Sequence, residues 1–144
     1  MADTIQLRYT KAGTIYTQSF TALAVKGADD PEKVRFVPPL VLSIVDGSKE
    51  TQFRGFQRII DFDLGVVSSA TDRKTIQEFL NANTRSILYQ GINVIPEEIL
   101  VVNEQGEIEN EWMFDFSLAK RFSLEVVEKT TRTSWPIVFP PEIL

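Results

Sequence analysis

Apolar and polar side chains alternate along most of this chain, the pattern of half-buried β-strands. Ile5, Leu7 and Tyr9 fall on one parity, Gln6 and Arg8 on the other. After a turn at Lys11-Ala12-Gly13, the stretch Thr14 to Val25 is rich in Thr, Ile, Tyr and Phe, which suit a pleated surface. Gly27 to Glu32 reads as a loop. Val34 to Val45 reads as a strand that must bend or lie on an edge at Pro38-Pro39, because proline donates nothing to a ladder. Asp46-Gly47 predicts a turn, and with Ser48-Lys49-Glu50 it makes a five-residue hairpin loop. In Phe53 to Val67, Phe56, Ile60, Phe62 and Leu64 share one parity, with Arg58 the polar exception, while Gln57, Asp61 and Asp63 share the other. That strand is predicted to bury an aromatic face and wet an acidic one, with Gly55 and Gly65 as bulges or bends.

One segment has a helical period. Between Ser69 and Asn83, Ile76, Phe79 and Leu80 recur at i, i+3 and i+4, with Thr71 or Asp72 as the opening cap and Asn81 or Asn83 as the close. Strands resume over Arg85 to Gln90 and Ile99 to Asn103, with Gly91 a turn and Gln105-Gly106 a hairpin tip. Two last strands are expected over Ile108 to Leu118 and Phe122 to Val127, where Trp112, Phe114, Phe116, Leu118, Phe122, Leu124 and Val126 keep one parity. The expected fold is mainly β: an antiparallel β-sandwich or barrel with one flanking α-helix over about residues 72–83. Residues 1–129 form a single domain in this reading, and residues 130–144 an extended C-terminal arm.

Composition narrows the chemistry. The chain of 144 residues has no His and no Cys, which removes Ser-His-Asp and Cys-His catalysis, thiolate or imidazole metal sites, and disulfides. No glycine-rich phosphate loop and no nucleophile-elbow motif occurs. No enzyme activity, cofactor or metal is therefore expected. The formal net charge of −5 is unevenly placed: residues 1–95 carry +1 and residues 96–144 carry −6. Between Arg85 and Lys120 there is no basic residue at all, while Glu97, Glu98, Glu104, Glu107, Glu109, Glu111 and Asp115 fall there. Such a balance argues against nucleic-acid binding. The acidic opening Met-Ala-Asp-Thr-Ile does not read as a signal peptide, and no apolar run is long enough to span a membrane.

Several clusters carry two readings each. Asp61 and Asp63 pair either as a carboxylate or metal site or as a solvated face. Glu104, Glu107, Glu109 and Glu111 either dock a cation or basic partner or protect an edge strand by charge. Arg54, Arg58, Arg73, Arg85 and Arg121 form a basic face if the helix packs near Phe53 to Arg58. The tail, with Trp135, Ile137, Phe139, Ile143 and Leu144, buries its apolar groups either on its own sandwich or on a neighbouring subunit.

The order of elements over roughly residues 53–129 resembles that of tailed-phage virion proteins. It comprises the strand Phe-Arg-Gly-Phe-Gln-Arg-Ile-Ile-Asp-Phe-Asp-Leu, a helix beginning Asp-Arg-Lys and carrying Phe79-Leu80-Asn81, a strand with Ile87-Leu88-Tyr89, and the closing Arg121-Phe122-Ser123-Leu124-Glu125-Val126. The likeness is to the β-sandwich-plus-helix units of tail tube, distal tail and baseplate hub proteins. It implies a structural subunit of the virion tail, assembled in the host cytoplasm into rings of six or three copies with other tail or baseplate proteins. The loops near Asp46 and the C-terminal tail would latch onto neighbours. A carbohydrate- or ligand-binding sandwich that stacks on Tyr9, Tyr16, Tyr89, Trp112 or Trp135 is the alternative, and a carboxylate hydrolase a third.

Overall fold

The computed structural model describes residues 3–28, 33–37, 40–43, 47, 49–52, 55–110 and 112–132. Two antiparallel sheets face each other across one core. The first contains β1 (Asp3–Lys11), β2 (Thr14–Ala22), and, later in the chain, β8 (Arg85–Tyr89) and β9 (Ile92–Val94), in the order β2-β1-β8-β9. Its alternation is realised in β1, where Ile5, Leu7 and Tyr9 point into the core and Arg8 outward. The second sheet is built on β7 (Phe56–Val66), β10 (Pro96–Asn103), β11 (Ile108–Glu109) and β12 (Arg121–Glu128), in the order β11-β10-β12-β7. Two short strands, β3 (Ala24–Lys26) and β4 (Val34–Phe36), also pair with β7. A separate ribbon joins β5 (Leu40–Ser43) to β6 (Lys49–Gln52).

Thr14 to Val25 is two strands rather than one. The chain leaves the first sheet at Leu23, whose N–H donates to Asp63 O at 2.7 Å, and β3 continues in the second sheet. The two sheets are thus joined by a strand that changes partner, which periodicity does not reveal. After Ser43 the expected pairing is present, but Ser43 pairs with Lys49 and Leu42 with Glu50, so Lys49 and Glu50 belong to the ladder and not to the turn. Pro38, Pro39 and Asp46 lie outside the described residues.

The helix α1 (Ala70–Asn81) starts two residues before the expected position. Ser69 is its cap: extended at ψ 124°, it accepts the Asp72 N–H on Oγ at 3.3 Å. Asp72 then lies in the first turn, where a carboxylate favours the helix dipole, and Ala82 rather than either Asn closes the helix. Ile76, Phe79 and Leu80 drop into the core as their spacing requires. On the flank, Glu78 accepts hydrogen bonds from Tyr9 (3.1 Å) and Lys11, tying α1 to β1. The Lys11 bond first, and the Tyr9 bond next, hold the Glu78 carboxyl below the ordinary glutamate range.

The predicted strand Ile108 to Leu118 is overturned. Only Ile108 and Glu109 pair, and residues 112–118 run through successive turns. Phe114 and Phe116 are buried with Phe122 in an aromatic cluster of ring centroids 4.8–5.8 Å apart, whereas Trp112 and Leu118 are exposed. The shared parity was real but only its middle members go inward. What holds the turns down is Arg73 on α1. Its guanidinium donates to the carbonyls of Phe116 (2.9 Å) and Ser117 (3.3 Å) on one side and of Val67 (2.9 Å) and Ser68 (2.8 Å) on the other.

Candidate functional site

The outer face of the second sheet carries the Asp61 and Asp63 pair. Arg121 lies 2.9 Å from Asp63, and Lys33 lies 3.6 Å from Asp61 and 2.7 Å from Glu125 on the neighbouring strand. The Glu125 hydrogen bond, more than any other contact, raises the Lys33 ammonium above its ordinary range. Asp61, Asp63, Lys33 and Glu125 border a groove of about 570 Å³. The pair is therefore neither bare chemistry nor an open acidic face, but part of a cross-strand ion ladder. Gln57, expected on the wetted side, is buried: Arg35 lies over it and donates to its Oε1 at 3.0 and 3.2 Å. The same guanidinium pairs with Glu97 and Glu98. Among the described residues, no three acidic side chains gather closely enough to hold a metal ion.

The expected basic face does not form. Arg58 is buried against Glu128 at 2.9 Å and donates to Ala28 O. Glu128 also accepts from Arg132 at 2.8 and 3.2 Å, and Arg132 exchanges backbone hydrogen bonds with Phe56. Arg73 serves the turns, Arg121 the ion ladder, and Arg54 lies outside the described residues. A parity break that looked like a surface arginine is a buried pair that clamps the end of β12 to the start of β7, beside the backbone bridge between Phe56 and Arg132.

Of the predicted acidic strand, Glu109 alone lies in a ladder, Glu104 and Glu107 flank the tip, and Glu111 lies outside the described residues. The tip is shaped by Asn103, whose side-chain oxygen accepts the N–H groups of Gln105 (3.0 Å) and Glu107 (2.9 Å). Glu104, Glu107 and Glu109 enter no ion pair among the described residues, although Lys120 and Arg121 are near. Lys120 is placed over the Phe114 ring and Arg121 is engaged by Asp63. So Asp61, Asp63, Glu97, Glu98, Glu125 and Glu128 are neutralised within the chain, while the hairpin tip keeps its charge.

A second feature escaped the sequence. A cleft of about 380 Å³ opens beside β1, β8 and the start of β10, lined by Arg8, Arg85, Lys129, Thr84, Ile15 and Ile95 among others, with no carboxylate. Its residues come from four separated stretches of chain, and nothing in their local spacing announces the meeting. Of the aromatic stacking candidates, Tyr9 and Tyr89 are buried, Tyr16 lies half-exposed and stacked on Tyr9 at 5.5 Å, and Trp112 stands 80% exposed. Trp135, Ile137, Phe139, Ile143 and Leu144 lie outside the described residues.

No protein-family model, curated protein or solved structure matches this chain. No helix among the described residues is long and apolar enough to cross a membrane.

Proposed function

We propose that the protein is a structural subunit, of the phage-like tail or baseplate type, that assembles with copies of itself and with other tail components. The observation that carries this reading is the pair of open sheet edges. At one side of the first sheet, β2 runs for nine residues without a charge or a proline and exposes Ile15 and Tyr16. Monomeric proteins usually blunt such an edge with Lys, Pro or a bulge. At the side of the second sheet, β11 is a two-residue edge that exposes Ile108, with exposed Trp112 shortly beyond it. Strand addition or edge packing between subunits uses such surfaces. The likeness to tail proteins rests on the order strand, helix, strand and closing strand, which here are β7, α1, β8 and, after three intervening strands, β12.

Light scattering coupled to size exclusion, together with negative-stain microscopy of the full chain, tests the proposal. Multi-copy particles of uniform ring shape are expected. A monomer over the whole accessible concentration range would sink it.

A further inference from the structure

We infer that the cleft between Arg8, Arg85 and Lys129 receives the acidic hairpin tip, Glu104 to Glu109, of a second copy of this chain. The inference rests on the assembly reading above and names the surfaces that meet.

The cleft has a definite chemistry. Arg8 and Lys129 are exposed and enter no ion pair among the described residues. In a chain of net charge −5, three cations around one opening with no carboxylate in its lining is a strong local departure from the average. The walls supply Ile15 and Ile95, which are 68% and 49% exposed, so the site suits an anion that brings an apolar side chain with it. Hydroxyl and amide groups from Thr84, Ser86 and Asn93 complete the polar surface. A small inorganic anion would leave the two isoleucines wet.

The hairpin tip has the complementary set. Glu107, Ile108 and Glu109 alternate, so Ile108, 58% exposed, faces the side of the strand opposite to the neighbouring carboxylates. Glu104 adds a third acidic group across the turn. Within the described chain Glu104, Glu107 and Glu109 at the tip, and Arg8 and Lys129 at the cleft, enter no ion pair, while Arg85 at the cleft donates to Leu80 O. Charge complementarity therefore selects a second copy as the occupant, its tip inserted with the carboxylates toward Arg8 and Lys129 and Ile108, on the other side of the strand, toward Ile15 and Ile95. Geometry adds a further match, since the tip belongs to edge strand β11 and the cleft wall Ile15 to edge strand β2. Contact between unlike surfaces of one chain propagates head to tail, closing into a ring or continuing as a filament.

Charge reversal on full-length protein tests this. One variant carries Arg8→Glu with Lys129→Glu, the other Glu104→Lys with Glu107→Lys. All four positions are exposed, and thermal melting of each variant checks that the fold is kept. Sedimentation velocity is expected to show each variant alone associating about tenfold more weakly than wild type, or not at all, because like charges then face each other. An equimolar mixture of the two is expected to assemble again, since each reversed cleft then meets a reversed tip and each unreversed cleft an unreversed tip. If both variants associate as wild type does, or if the mixture fails to recover, the tip-to-cleft contact is wrong while the subunit reading stands. If wild type itself never associates, both fall. Should the reversed cleft melt early, Arg8→Gln with Lys129→Gln replaces it and is expected to weaken association in the same direction.

Discussion

Arg73 shows how one side chain can decide whether a stretch of chain is loop or core. It is 8% exposed and its guanidinium donates to four carbonyl oxygens, those of Val67 and Ser68 in the link between β7 and α1 and those of Phe116 and Ser117 in the 112–118 turns. Unmet buried acceptors each cost about 1–3 kcal/mol, so Arg73→Ala is expected to lose roughly 2–4 kcal/mol in urea denaturation. Lys74→Ala, next in sequence but exposed, should change stability by less than about 0.5 kcal/mol. Equal losses for the two would show that Arg73 is not the staple. Glu78 makes a pH-dependent tie between helix and sheet. Its folded carboxyl titrates below the ordinary value of 4.5, so its contribution is fully present above that value and disappears as pH falls through the lower folded one. Glu78→Gln should therefore melt below wild type at neutral pH, and the gap should close on acidification. A gap that is constant with pH would rule the carboxylate out. At this scale the sequence was least legible: Arg58 and Arg73 read as surface cations because their partners, Glu128 and the carbonyls of Phe116 and Ser117, are remote in the chain. Composition offers no sign of such meetings.

Elements were legible where burial and period agree. Strand β1 shows alternation, helix α1 shows i, i+3, i+4 spacing, and both run as the pattern says because one face is dry and the other wet. The pattern failed where the chain changes partner or stops pairing. Leu23 ends β2 without any breaker residue, and the aromatic parity beyond Ile108 persists through turns because Phe114 and Phe116 are drawn to Phe122 rather than to a ladder. Gly55 marks another such junction. It adopts φ +109°, and a Cβ there would lie 2.6 Å from Arg132 O, in the backbone clamp that joins the start of β7 to the end of β12. An L side chain does not reach that conformation cheaply, and backbone cannot move aside as a flexible side chain can. Gly55→Ala is expected to lose about 1–3 kcal/mol, and to speed hydrogen exchange at Phe56 and Arg132 ahead of β1 and the centre of β7. Uniform acceleration across all strands would instead mean a global effect with no local clamp.

At the scale of the whole molecule the sign of a salt effect separates two pictures of the −5 charge. Were it spread evenly, copies would repel one another, and added salt would screen the repulsion and promote association. The structure distributes it otherwise. Carboxylates on the second sheet are matched by Lys33, Arg35 and Arg121, leaving an acidic tip at Glu104, Glu107 and Glu109 and a basic cleft at Arg8 and Lys129. Attraction between those patches acts over a few ångströms to about 10 Å, the screening length near 0.1 M salt, and shrinks to about 3 Å at 1 M. The apolar part of the contact, Ile108 against Ile15 and Ile95, is not weakened by sodium chloride. Association measured by sedimentation from about 0.1 M to 1 M salt should therefore fall but not vanish, because the charge-assisted part is lost and the apolar part remains. A rise with salt would mean that long-range repulsion governs how copies meet. Complete insensitivity would place the contact on the uncharged β2 edge alone, where backbone pairing and not charge would choose the neighbour.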